Sequence, residues 1–196
     1  MKIQIIIGSV RKGRSGKKVA DWAMQELLTN PEIKDLAQYE LIDLKDWNLP
    51  MFDEAVSPSS NMGIYQNPLG RKWADKIAEA DGYIFVTPEY NHGTSAALKN
   101  AIDWVYKEWS HKAVGFISYG SIAGGSRAVE QLRQVIIELQ MASAKNSVHI
   151  PLIWSQFDGQ GKLLDAHAPK SLEVMIKDLM WWTTTLKEAR DKEKGG

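Results

Sequence analysis

The stretch Tyr83-Ile84-Phe85-Val86-Thr87-Pro88-Glu89-Tyr90-Asn91-His92-Gly93-Thr94-Ser95-Ala96-Ala97-Leu98-Lys99-Asn100-Ala101-Ile102-Asp103-Trp104 decides the fold. Its first four residues are apolar without alternation, the pattern of a strand buried on both faces. Pro88 to Thr94 reads as a loop. Ser95, a good N-cap, then opens a helix that continues to about Tyr106.

The same alternation runs outward to both ends of the chain. Upstream, residues 2–7 form an apolar strand ending at Gly8, and a helix follows from Gly16 to about Leu28 with Val19, Ala20, Ala23 and Leu27 on one face. Asn30-Pro31 stops it. Tyr39 to Leu44 reads as a second strand. Residues 45–69 read as loop, long enough to be either functional or mobile, and Arg71 to Ala80 as a short helix. Downstream come a strand from Ala113 to Ser118, a glycine-rich turn over Gly120–Gly125, and a helix from Ser126 to Met141. A fifth strand is expected over Ser147–Ile153, a last helix over Ala168 to about Lys187, and a frayed charged tail over Asp191–Gly196. Five strands alternating with helices mean an α/β protein with a parallel sheet covered on both faces. Residues 1–190 are expected to be one domain, followed by the tail.

Composition narrows the function. The chain has 196 residues, 24 Lys+Arg against 24 Asp+Glu, and no cysteine. Zero net charge gives no pull toward nucleic acid or an anionic membrane. The apolar runs are too short to span a bilayer. Thiol catalysis, disulfides and thiolate metal sites are excluded. No signal-peptide layout follows Met1, so a cytoplasmic location is expected.

In open parallel sheets, ligands sit beyond the carboxyl ends of the strands. Three loops lie there. The first, Gly8-Ser9-Val10-Arg11-Lys12-Gly13-Arg14-Ser15-Gly16-Lys17, joins a strand to a helix and combines glycines, hydroxyls and cations, which suits a phosphate on free helix N–H groups. It differs from an ATP-type phosphate loop in having Arg14 where lysine belongs, and Gly8, Gly13 and Gly16 do not make a dinucleotide fingerprint. A mononucleotide fits better. The second loop, Thr87–Ser95, offers the flat face of Tyr90 and the amide of Asn91 to a heterocycle. The third, Ser118–Arg127, has small residues against which a planar ring could lie.

These residues carry a resemblance. Gly8-Ser9-x-Arg11, Pro88-Glu89-Tyr90-Asn91 with Leu98-Lys99-Asn100-Ala101-Ile102-Asp103-Trp104, Gly124-Gly125-x-Arg127-Ala128, and the run Leu49-Pro50-Met51-Phe52-Asp53 resemble the NADPH-dependent FMN reductase family over roughly residues 1–150. The resemblance implies a flavodoxin-like three-layer sandwich with five parallel strands in the order 2-1-3-4-5. It implies one FMN per chain, NADPH or NADH as electron donor, and a small-molecule acceptor such as a flavin, quinone or azo compound. Carried over by position, Ser9, Arg11, Ser15 and Gly16 hold the phosphate, with Arg14 and Ser15 left as alternatives for one of its contacts. Pro88, Glu89, Tyr90 and Asn91 meet the isoalloxazine and ribityl parts, and Ser118, Tyr119 and Gly120 flank the other side of the ring. Family members are commonly dimers or tetramers with the flavin at the subunit boundary. A homodimer or homotetramer is therefore expected, with Trp104 and Trp109 in the interface close to FMN.

Flavin chemistry requires no side-chain nucleophile or acid–base pair, so no catalytic residue and no metal ligand is assigned. His92 reads as a solvent-facing loop residue and Lys99–Asp103 as a surface or interface pair. The competing class is a flavodoxin-type electron carrier without pyridine-nucleotide activity. The balanced charge argues against it, because such carriers dock through an acidic face.

Overall fold

The computed structural model describes residues 1–195. Its strands are β1 (Lys2–Ile7), β2 (Gln38–Asp43), β3 (Gly82–Pro88), β4 (Ala113–Tyr119), β5 (Ala142–Ser143) and β6 (Val148–Ile150). Its helices are α1 (Gly16–Thr29), α2 (Leu44–Trp47), α3 (Pro68–Ala78), α4 (Ala96–Asp103), α5 (Ser126–Glu138) and α6 (Ala168–Gly195). All pairings are parallel, in the order β2-β1-β3-β4-β5, with β6 an added strand that also pairs β4. This is the flavodoxin-like order expected from the resemblance.

The register brings the carboxyl ends level. Asp43, Ile7, Val86, Ile117 and Val148 stand side by side across the sheet. Every residue of β3 and β4 is buried, so the ladder must satisfy their backbone polar groups and the chain can turn only at the ends. Alternation sorts the side chains. Ile3, Ile5, Ile7, Ile84, Val86 and Ile117 pack under α1 and α6. Ile6, Tyr83, Phe85, Val114 and Phe116 pack on the opposite face under α3, α4 and α5.

Several expected boundaries move. The fifth strand is divided. Ala142–Ser143 pairs with Ala113–Val114, and Val148–Ile150 pairs with Ile117–Tyr119. Between them the backbone leaves the ladder for side-chain partners: Lys145 N–H donates to Asp178, and Arg133 donates to the Lys145 carbonyl. The strand ends at Ile150 because Pro151 has no N–H to continue it. The last helix runs to Gly195, so the charged tail continues it as far as the described residues reach; Gly196 lies outside them.

Residues 45–69 are not a free loop. Asp43 caps α2 by accepting from Lys45 N–H (3.0 Å). The Leu49–Asp53 run is then tied to α4. Asn100 donates to the Pro50 carbonyl (2.8 Å) and accepts from Phe52 N–H (2.9 Å), and the Trp104 indole N–H donates to the same Pro50 carbonyl (2.8 Å).

That tie corrects the expectation for the tryptophans. Trp104 and Trp109 are both fully buried within the chain. Trp104 packs edge-on against Phe52 (5.3 Å) and over Gly70, where a Cβ would come within 2.8 Å of its ring. Trp109 sits among Trp73, Tyr83 and Phe85. The apolar side of α4 around Trp104 is covered by the chain's own 50–52 segment and α3, not by a second subunit. Trp104→Ala should therefore lower unfolding stability by about 3–5 kcal/mol, the usual cost of emptying a buried indole site. A urea midpoint equal to the parent's, with a change only in subunit association, would return Trp104 to an interface.

Candidate functional site

The first loop leaves β1 through a tight gap at Gly8. Gly8 N–H donates to the Val86 carbonyl (2.9 Å), and a Cβ on Gly8 would come within 3.0 Å of Leu98 and 3.1 Å of that carbonyl. Ser9 is fully buried and its hydroxyl pairs with the Tyr90 hydroxyl at 2.7 Å. The Arg14 guanidinium binds the Ser9 carbonyl (2.6 Å) and the Asp43 carboxylate. Arg14 is thus committed to bracing the loop. Asp43 is shared between Arg14 and the cap of α2.

The groups left for an anion are Ser15, Arg11 and the start of α1. Ser15 is the N-cap residue, but its side chain makes no capping hydrogen bond. Arg11 is exposed and α1 has no acidic residue in its first turn. The first N–H groups of a helix have no intrahelical acceptor, so this end is electropositive. Beneath it lies the Tyr119 hydroxyl, buried and without a hydrogen-bond partner among the described residues. A Cβ built on Gly16 would come within 2.6 Å of that oxygen. Burial pushes the Tyr119 phenol well above its ordinary pKa, an effect reinforced by Tyr90 and opposed by Ser9, Arg14 and Arg11. A cation, two unspent hydroxyls and a free helix start fit the phosphate end of FMN.

The second loop makes a two-residue turn. Tyr90 N–H donates to the Gly93 carbonyl (2.8 Å) and Gly93 N–H returns to Tyr90 (3.0 Å). Asn91 and His92 between them both take left-handed conformations, with φ of 50° and 67°. This is the geometry of a tight hairpin turn, and asparagine tolerates it well. The turn presents Asn91, His92 and one edge of Tyr90 to solvent, while Pro88 is buried as the end of β3. Ser95 then does two jobs. Its hydroxyl caps α4 by accepting from Leu98 N–H (3.1 Å) and donates to the Gly8 carbonyl, joining the second loop to the first.

Glu89 joins the second loop to the third. Its N–H donates to the Tyr119 carbonyl (3.0 Å). Its carboxylate, only 6% exposed, accepts from Arg127 Nε (2.7 Å), the Arg127 terminal nitrogen and the Arg127 backbone N–H. Burial pushes the Glu89 carboxyl up, but the Arg127 guanidinium outweighs it and holds the group below its ordinary value.

In the third loop the three expected ring neighbours separate. The Ser118 hydroxyl is fully buried, donates to the Gly124 carbonyl (2.8 Å) and pairs with His149 Nδ1 (2.7 Å), so it braces the turn from inside. The Tyr119 side chain lies on the α1 side of the sheet, below the first loop. Gly120 stays in the loop, tied to the Ile150 carbonyl through its N–H (3.2 Å). Gly125 has φ of 88°, and a Cβ there would come within 2.7 Å of Ser118, so this turn requires glycine. Three braces were missed in the sequence: Asp43 for Arg14, Arg127 for Glu89, and Ser95 for Gly8. The usable signal was one of placement, since Asp43, Glu89 and Arg127 all lie at or just past strand carboxyl ends that a parallel sheet brings level.

The sequence profile of the family described as NADPH-dependent FMN reductase matches residues 1–155. An NAD(P)H-dependent FMN reductase from Nectria sp is 40% identical over 153 residues, covering 76% of this chain and 75% of that protein. An NAD(P)H:quinone oxidoreductase from Solanum tuberosum is 29% identical over 196 residues, covering 95% of each. Among solved structures, a flavoenzyme NAD(P)H:(acceptor) oxidoreductase from Paracoccus denitrificans superposes with a TM-score of 0.71 at 18% identity, over 94% of this chain and 97% of that one. That last likeness is one of fold.

The Glu89–Arg127 pair predicts a pH-dependent stability. Because the folded carboxyl titrates below its ordinary value of about 4.3, its contribution is present above that value and is lost as pH falls through the folded one. Glu89→Gln should be about 1 kcal/mol less stable than the parent at pH 7, with solvent at the half-exposed arginine limiting the effect. The difference should narrow as pH falls below that ordinary value and close once the folded carboxyl is protonated, when both chains carry a neutral side chain. Denaturant titrations showing a constant gap across that range would mean that the ion pair is not its source.

Proposed function

The chain belongs to the NADPH-dependent FMN reductase family and is an NAD(P)H-dependent flavin oxidoreductase, and we propose that its three strand-end loops form the cofactor site, with a small planar compound as acceptor. Bound FMN would supply the hydride and electron-transfer chemistry between reduced nicotinamide and the acceptor. The residues hold and orient it. Arg11, Ser15 and the N–H groups from Gly16 receive the phosphate, and Ser9 shapes the floor of that cradle. Tyr90, Asn91 and Gly120 border the ring and ribityl chain, with Pro88 fixing where the loop begins. Arg14, Glu89 and Ser118 act one step back, keeping the loops in place. No side chain needs to act as acid or base, and His92 remains a surface residue.

The observation that carries this reading is the convergence of the loops. Ser95 ties the second to the first and Glu89 ties it to the third, so that all three gather at one edge of the sheet. A flavin, quinone or azo compound is the proposed acceptor, and the quinone oxidoreductase relative supports a quinone. We assign the enzyme to the cytoplasm, where reduced nicotinamides are regenerated; among the described residues no helix is long and apolar enough to cross a membrane. Cell fractionation that recovers the protein with membranes or outside the cell would refute that placement. Anaerobic addition of NADPH or NADH should bleach the flavin absorbance within a turnover, and a quinone should restore it. Flavin that stays oxidised with both nucleotides would instead indicate an electron carrier.

The enzyme works as a homodimer in this proposal, on a surface other than the buried tryptophans. A groove of about 460 Å³ lies between the 52–59 segment, α4 and α5, lined in part by Phe52, Pro58, Val105, Tyr106 and Leu139. The adjoining chain exposes Met51 (72%), Val56, Met62 and Ile64, more apolar surface than one segment usually leaves to water. Sedimentation equilibrium at micromolar concentration should give twice the chain mass. A single-chain mass would refute the dimer, and a fourfold mass would replace it with a tetramer.

A further inference from the structure

We propose that the Tyr119 hydroxyl is a phosphate ligand and that it makes the site select a phosphorylated flavin over its dephosphorylated form. The inference rests on the reading that the three loops hold FMN, and it assigns Tyr119 to the opposite end of the cofactor from the ring.

Four observations converge on this oxygen. Tyr119 is only 4% exposed, and its hydroxyl has no hydrogen-bond partner among the described residues. Buried polar groups are rarely left so, and such an exception points to a group supplied from outside. Ser9 lies near enough to act on the phenol, but its hydroxyl pairs with Tyr90 at 2.7 Å and makes no bond to the Tyr119 oxygen within hydrogen-bonding geometry. The orphan lies 2.6 Å from the place a Cβ on Gly16 would occupy, directly against the first turn of a 14-residue helix. That turn has free N–H groups, an unspent N-cap hydroxyl at Ser15 and no acidic residue to repel an anion. The charged groups that act on Tyr119 are Arg11 and Arg14. Arg14 is held by Asp43 and the Ser9 carbonyl, which leaves the exposed Arg11 as the cation available to an anion there.

A phosphate monoester dianion meets each part of this set. It accepts from the helix N–H groups, from Ser15 and from the tyrosine, and it pairs with Arg11. Burial keeps the phenol protonated, so Tyr119 donates without adding a negative charge beside the phosphate. Gly16 becomes part of the same device, because any side chain there would push the hydroxyl off the helix start.

The test compares FMN, riboflavin and inorganic phosphate on the full chain stripped of flavin, with flavin fluorescence quenching as the readout for the first two. Tyr119→Phe should weaken FMN about ten- to hundred-fold, the range for a hydrogen bond to a charged group, and leave riboflavin binding unchanged. Gly16→Ala should weaken FMN in the same way, and the double variant should lose less than the two single losses combined, because both act on one oxygen. Inorganic phosphate should raise the thermal midpoint of the parent more than that of Tyr119→Phe. The unliganded Tyr119→Phe protein should melt at or above the parent, since only an unpartnered hydroxyl has been removed. Equal weakening of FMN and riboflavin would place Tyr119 against the ring or ribityl chain and overturn the proposal. Unchanged FMN affinity, or a drop in the unliganded midpoint, would do so as well. A parent that binds no FMN would refute the wider reading of the loops instead.

Discussion

The structure depends on the full burial of two adjacent parallel strands. With β3 and β4 covered on both faces, every backbone donor and acceptor along them must be met inside the sheet, because water cannot reach them. The ladder that joins β3 to β4 is therefore unbroken until the carboxyl ends, and those ends come level at Asp43, Ile7, Val86, Ile117 and Val148. Each chain must turn there into a helix that starts nearby. Free helix N–H groups, polar loops and a shared edge are thus consequences of one burial constraint.

Beyond the ladder, side chains take over the task of holding backbone. Ser95 bonds the Gly8 carbonyl, Arg14 bonds the Ser9 carbonyl, and Ser118 bonds the Gly124 carbonyl. Two ion pairs lock the outer parts, Arg14 with Asp43 and Glu89 with Arg127. Their net contribution to stability is modest, since partial burial of charge offsets much of the attraction. Their value lies in position. Each fixes a loop that has no regular structure, so the site is ordered before a cofactor arrives and less binding energy is spent on ordering it.

Much of the site was legible from residue type and order. A strand run ending in Gly8-Ser9, the Pro88-Glu89-Tyr90-Asn91 loop and the Gly124-Gly125 turn all lie at the sheet edge where they were expected. The roles within those loops were less legible. Arg11, Arg14 and Ser15 offer similar chemistry in a list of letters. Only the distance to Asp43, on another strand, separates a bracing arginine from one left free. Ser118 and Tyr119 are neighbours, yet strand alternation sends their side chains to opposite faces, so they could not both flank one ring. The tryptophans failed for a related reason. Helical spacing reveals how wide the apolar arc of α4 is, but not that the 50–52 segment folds back to cover it.

The sequence by itself determined the class of the protein: periodicity set the alternation of strand and helix, unbroken apolar runs required a parallel sheet, and glycine, serine and arginine at a strand exit marked a turn whose chemistry suits an anion. These are local properties, fixed by neighbouring residues and by what a buried backbone tolerates. The tertiary structure alone decided the division of the fifth strand, the tethering of residues 45–69, the inward place of Trp104 and Trp109, and the orphaned hydroxyl of Tyr119 beneath Gly16. Each depends on groups far apart in the chain meeting within a few ångströms. Such meetings are set by register and packing across the whole sheet, which no short window of sequence contains.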